Sequence, residues 1–171
     1  VATVEMVGTP GADTLVGGLG TDNIDALAGD NSIAGGGGND TITTGAGNDS
    51  ISAGAGNDSI TTGAGNDSIT AGAGDDSIAS GAGDDSTDGG AGNDSIDAGT
   101  GNDFIDGGTG ADSVLASEGN DTIVYDAADQ LLDGGVGVNV LKVNDASLDL
   151  TEVRNALSVS YTHLTLPTNR E

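Results

Sequence analysis

Cysteine and tryptophan are absent from this 171-residue chain, which holds one phenylalanine, two tyrosines and two prolines. Without cysteine there is neither a disulfide framework nor a thiolate metal site. Only three basic residues stand against 28 acidic ones, a formal net charge of −25. Such a surface repels phosphate rather than neutralising it, which argues against nucleic acid as a partner and points to cations. No apolar run approaches the ~20 residues a membrane span needs. The opening "VATVEMVG" has no basic-then-apolar signal pattern; its start on Val1 reads as a fragment in preference to a processed chain. Aromatic residues at 2% with a high charge normally mean disorder, because too little apolar surface is available to offset chain entropy.

What the chain does have is glycine, 32 residues of it, and a strict period. From Gly8 to Val124 the sequence divides into 13 nonapeptides without a gap, among them TGAGNDSIS, AGAGNDSIT and GGAGNDSID. The fourth position is Gly in all 13; the sixth is Asp in 12, with Asn31 the exception. The eighth is Ile, Leu or Val in 12, with Thr87 the exception. Disordered sequence has no reason to hold three positions in register over this length, so the period overrides the composition.

Each nonapeptide has two physical halves. Its first six residues, Gly-rich and ending in Asn-Asp, suit a turn that visits positive φ. Its last three, such as "SIT" or "TIT", suit a very short strand with a β-branched residue pointing inward. Turn, strand, turn, strand makes two nonapeptides per coil of a right-handed solenoid. Coils stacked about 4.8 Å apart would make a body of roughly 31 Å over the repeats. Units n and n + 2 then lie one above the other, with isoleucines in two facing columns and aspartates in two edge columns.

The pattern closely resembles the repeats-in-toxin (RTX) nonapeptide G-G-x-G-x-D-x-U-x, where U is a large apolar residue. The resemblance covers residues 8–124 and implies an all-β fold, a parallel β-roll with calcium held between stacked turns. Many units depart from it at the first position, where Thr, Ala or Ser replaces Gly, and three depart at the second (Thr9, Leu27 and Ser117). These departures bear on individual sites rather than on the class. The resemblance also implies export from a Gram-negative bacterium by a type I system as an unfolded chain, folding outside the cell where calcium is millimolar. The parent would be a secreted or cell-surface protein such as an adhesin or toxin, with host or surface contacts made by a longer polypeptide. The alternatives are a roll surface that binds ice or glycan, and the non-catalytic tail of a secreted protease or lipase. Regular outward Thr and Asn rows as in "GTGND", expected for the ice reading, occur once, at Gly99–Asp103.

One isoleucine per nonapeptide returns far less free energy than ordering nine residues of backbone costs, and carboxylates stacked at the coil spacing repel. A hard divalent cation reverses the second effect, because Ca²⁺ takes six to eight oxygens and metal binding becomes folding free energy. The expected ligands on one edge are Asp13, Asp49, Asp67, Asp85, Asp103 and Asp121, with Asn31 interrupting the column. On the other they are Asp22, Asp40, Asp58, Asp76, Asp94 and Asp112. Pairing each with the unit two further on allows up to about eleven Ca²⁺ ions. Two of those sites involve Asn31, which lacks the charge, with Asp30 beside it as a substitute. Asp25, Asp88, Asp97 and Asp106, at ninth positions, are expected to face solvent, as are the fifth-position Asn48, Asn57 and Asn66. Thr87 interrupts the hydrophobic column between Ile69 and Ile105 and reads as a tolerated defect.

Outside the repeats, Val1–Val7 reads as a lead-in strand. "YDAADQLLD" (125–133) reads as a spacer loop or widened coil. "GGVGVNVLK" from Gly134 recovers the motif's outline with Asn139 in the ligand position, so weak or no calcium is expected there. Leu148, Leu150, Val153 and Leu157 suggest a capping strand and helix turn, closing a segment that runs from 125 to 157; a solenoid needs such a cap. From about Ser158 the composition shifts, and "SVSYTHLTLPTNRE" resembles a translated sequencing adaptor, so residues 158–171 read as a non-native tail. No catalytic constellation can be assembled: the sole histidine, His163, lies in that tail. The G-x-G pairs lack the third glycine and the helix of a dinucleotide site, no P-loop or EF-hand loop is present, and paired acids such as Asp75-Asp76 read as turn residues. No enzyme is expected in these residues.

Overall fold

The computed structural model describes residues 3–143 and the backbone of 163–165. The expected capping residues 148–157 and most of the suspected tail lie outside them. Among the described residues there is no helix, and so none long and apolar enough to cross a membrane.

Short strands alternate between two parallel sheets. One sheet has eight strands, from Glu5–Val7 through Ser59–Thr61 to Leu131–Asp133; the other has nine, from Thr14–Val16 through Ser68–Ala73 to His163–Thr165. From Glu5–Val7 to Val140–Val143, consecutive strands do not pair with each other. Each pairs with the strand 18 residues on, as in Ile42↔Ile60 and Ile60↔Ile78 on one sheet and Ile33↔Ile51 and Ile51↔Ile69 on the other. Two nonapeptides therefore make one coil, and the fold is a parallel β-roll. The turns stack in the same register, with bridges Ala46↔Ala64, Ala64↔Ala82 and Ala82↔Thr100.

The roll extends beyond the thirteen repeats at both ends. Glu5–Val7 pairs with Asn23–Asp25. Leu131–Asp133 pairs with Ser113–Leu115 at the 18-residue register, so residues 125–133 occupy the place of a further unit despite their unusual turn. Val140–Val143 pairs with Thr122–Tyr125, and His163–Thr165 in turn pairs with Val140–Lys142.

Most of the turns use left-handed backbone at the second and fourth positions. Gly65, at a fourth position, has φ +138°, and a Cβ there would sit 2.0 Å from the Gly47 carbonyl oxygen of the coil beneath. At second positions the geometry is demanding enough that Leu27 and Ser117, which replace Gly, adopt φ of 64° and 72°. Left-handed backbone costs a side-chain-bearing residue of order 1 kcal/mol, and stacking against neighbouring coils imposes it.

The interior is one residue thick. The eighth-position Ile24, Ile42 and Ile60, stacked in one sheet, and Ile105, in the other, are 0–1% exposed. The first-position residues that depart from Gly also point inward: Ala26, Ala53, Ala71, Ala98 and Ala116 are each 0% exposed. These substitutions thus add buried methyl groups to a core that has few. Thr44, Thr62 and Ser80 occupy the same lining, all buried.

Thr87 is a paired feature rather than an isolated defect. Its buried hydroxyl lies 2.9 Å from that of Ser80, the first residue of the same nonapeptide. The only unit with Ser at position one is also the only one with Thr at position eight, and each hydroxyl satisfies the other. Ser80→Ala should therefore strand the Thr87 hydroxyl and cost about 1–3 kcal/mol. The double change Ser80→Ala with Thr87→Val should recover most of that loss, as urea unfolding of both variants in calcium will measure.

Candidate metal centres along the two edges

Each sixth-position aspartate closes its turn one residue before a strand; from Asp22 on, its side chain is drawn inside, while the following residue, Ser or Thr in most units, lies on the outer face. Asp40, Asp49, Asp58, Asp67, Asp76, Asp85, Asp94, Asp103, Asp112 and Asp121 are each at most 3% exposed. Within each column, every aspartate is stacked on the one 18 residues away. Asp58 and Asp67, nine residues apart, fall on opposite edges, as expected.

The two oxygens of each carboxylate have different fates. Oδ1 accepts from the backbone N–H of the column residue one coil earlier: Asp40 N–H to Asp58 at 2.7 Å, Asp49 N–H to Asp67 at 2.8 Å, and Asp76 N–H to Asp94 at 2.8 Å. Oδ2 of the same ten aspartates is buried and has no hydrogen-bond partner. An unpaired buried acceptor is costly, and an unpaired buried charge more so.

Two asparagines show what surrounds that second oxygen. Asn31 keeps the Oδ1 contact, accepting from Asp13 N–H at 3.0 Å, while its Nδ2 donates to the Gly29 carbonyl at 2.7 Å. Asn139 likewise accepts from Asp121 N–H at 2.9 Å, and its Nδ2 donates to the Gly134 carbonyl. Where the side chain carries an NH₂ at this branch, backbone carbonyls of its own turn receive it. Where the branch is a carboxylate oxygen, oxygen faces a carbonyl-rich loop with no proton between. An all-oxygen, net negative setting suits a hard cation. Among the described residues no three acidic or histidine side chains gather around one point. A site here would therefore join stacked carboxylates to backbone carbonyls, the donor set that calcium accepts and that softer metals do not favour.

Asp13 and Asp22, also expected as ligands, sit in the first coils and differ. Asp13 is half-buried, and its Oδ2 accepts from Thr9 N–H at 2.5 Å; Asp22 is buried, with Oδ2 accepting from Gly18 N–H at 2.6 Å. Their second oxygens are already held by amides of their own turns. The ninth-position acids lie on the outer faces: Asp88 and Asp97 are exposed, Asp25 and Asp106 half-buried. Asn48, Asn57 and Asn66 are exposed as expected, but they also carry a second ladder that the motif alone does not reveal. Asn48 Oδ1 accepts from Asn66 N–H at 2.8 Å, and Asn66 Oδ1 from Asp84 N–H at 3.0 Å. This outer ladder takes its donors from the following coil, whereas the inner aspartate ladder takes them from the preceding one.

The RTX calcium-binding nonapeptide repeat matches residues 7–42, 26–60, 34–69, 52–87 and 88–123. The chain belongs to this family. An RTX roll is a structural calcium-binding module and is not catalytic by itself. No curated protein matches the chain.

Burial raises the carboxyl pKa along both columns of this RTX roll, and the stacked neighbouring carboxylates add to it. Asp58, Asp94 and Asp103 are pushed up to about 6 and Asp85 to about 7. Asp40, Asp67, Asp76, Asp112 and Asp121 are raised as well, burial being the largest cause. In each case an amide from the preceding coil opposes the rise. A folded-state pKa above the unfolded value means that the folded chain binds more protons between those two values, so stability falls as pH rises through that window. In chelator the roll should be more stable at pH 5 than at pH 7.5. In calcium the order should reverse, because protons then compete with the ion. The residual circular-dichroism β signal in chelator at the two pH values, and urea midpoints at the same two values in calcium, will measure both signs.

Proposed function

We propose that this chain is the calcium-dependent folding module of a protein exported to the cell exterior. The unfolded form crosses the envelope, and extracellular calcium then closes the roll. The single observation that carries this reading is the row of buried, partnerless Oδ2 atoms, with carbonyls where Asn31 and Asn139 place their amide nitrogens. Membership of the RTX family and a formal charge of −25 support it. Asp40, Asp49, Asp58, Asp67, Asp76, Asp85, Asp94, Asp103, Asp112 and Asp121 would hold the ions. Asp13 and Asp22 would join them only by exchanging an amide for calcium. When bound, calcium supplies neutralisation of the stacked carboxylates; the chain's own part is to hold the oxygens in register and exclude water. The repeats 8–124 form the ion-binding body, and the flanking segments cover its ends. In the parent, such a roll serves as a rigid segment of an adhesin or toxin.

Circular dichroism in about 5 mM calcium, within the range of extracellular modules, should show β structure that is lost in chelator. Equal folding in chelator would refute the proposal. The half-saturating calcium should be well above cytosolic levels, and nanomolar affinity would sink the export reading even if calcium binds.

A second reading has one observation in its favour. Outward strand positions carry hydroxyl rows, with Thr41, Ser59, Ser77 and Ser95 aligned on one sheet and Ser32, Ser50, Ser68 and Ser86 on the other. Such rows offer hydrogen bonds at the coil spacing to ice or glycan. The calcium-loaded roll should shape ice crystals or bind glycan if they act so, and its failure to do either would remove this reading.

A further inference from the structure

The edge column that runs through Asp94 ends at Asp112, because position 130 is glutamine. Residues 125–133 nonetheless hold the 18-residue register through Leu131–Asp133, and Gln130 is exposed. The residue before it takes the inward place. Asp129 brings its carboxylate within hydrogen-bonding reach of the Asp112 carboxylate. The backbone N–H groups of Gln130 and Leu131 donate to the Asp112 carbonyl at 2.9 and 3.3 Å, which fixes the loop against that coil. Inside the loop, Asp129 Oδ2 accepts from Asp126 N–H at 2.9 Å and Asp126 Oδ1 from Ala128 N–H at 2.6 Å.

This arrangement leaves two carboxylate oxygens, Asp112 Oδ2 and Asp129 Oδ1, buried and without a hydrogen-bond partner. Asp112 is itself 0% exposed. With both groups ionised each is only an acceptor and neither can satisfy the other, and Asp126 adds a third negative charge nearby. The one lysine of the chain, Lys142, lies over the Phe104 ring instead. The opposite column ends differently. There Asn139 closes the last coil with its own amide nitrogen and needs no ion.

We infer that Asp129 and Asp112 together hold a calcium ion of their own, at a terminal site that the nonapeptide pattern does not encode. Asp129 at the fifth position of its unit replaces the sixth-position aspartate that the column lacks, and Asp126 favours the same ion by its charge. The inference rests on the reading of the columns as calcium sites. It assigns a binding role to a segment that looks like a spacer.

The test is calcium stoichiometry of the full chain, by equilibrium dialysis with metal analysis, for wild type and Asp129→Asn. The variant should fold in calcium and carry one ion fewer per chain. A folded variant with unchanged stoichiometry overturns the inference while leaving the column reading intact; a wild-type chain that binds no calcium overturns both. Should Asp129→Asn fail to fold, Asp129→Asn with Gln130→Asp puts the carboxylate back at the repeat's own position. That double variant must recover the wild-type ion count, and its failure to do so, folded or not, overturns the inference.

Discussion

Everything in this roll depends on a carboxylate that is half satisfied. One oxygen of each column aspartate stitches its coil to the preceding one through a backbone amide, at 2.7–3.0 Å along both edges. The other, from Asp40 to Asp121, is buried without a donor. The first contact sets the register of the stack; the second makes the stack unstable on its own, since like charges repeat at the coil spacing in a dry setting. A cation converts the second from a cost into a bond. On the proposed reading, stability and calcium binding are the same free energy measured in two ways.

The hydrophobic interior is too thin to take over that role. It consists of one eighth-position side chain per unit, supplemented by first-position alanines and hydroxyls. That supplement changes how departures from the RTX consensus read. Ala, Thr and Ser at the first position fill the lining of the roll, and the buried pair of Ser80 and Thr87 shows two departures compensating each other within one unit.

The asparagines mark where the cation logic stops. Asn31 near the start and Asn139 near the end keep the stitching contact and replace the second oxygen by a donor. A turn closed this way places a donor, in place of a charge, at that branch. The edge ending at Asp112 has no such amide closure, and there the unusual turn of residues 126–129 brings in a further carboxylate.

Period alone pointed to the architecture: Gly at the fourth position, Asp at the sixth and an aliphatic at the eighth recur in step, as coils built from whole nonapeptides require, and one turn plus one strand per unit makes two units the natural coil. The edge columns followed by arithmetic, as did the opposite placement of Asp58 and Asp67. What needed the tertiary structure was everything that depends on a neighbour outside the motif. The contact of Ser80 with Thr87, the outer Asn ladder and the capture of Asp13 by Thr9 are of this kind. So is the in-phase stacking of residues 125–133, whose sequence keeps the nonapeptide length but loses its glycines and its sixth-position acid. Sequence periodicity reports which positions are equivalent. Which oxygen of a carboxylate is left without a donor is decided by the coil stacked against it.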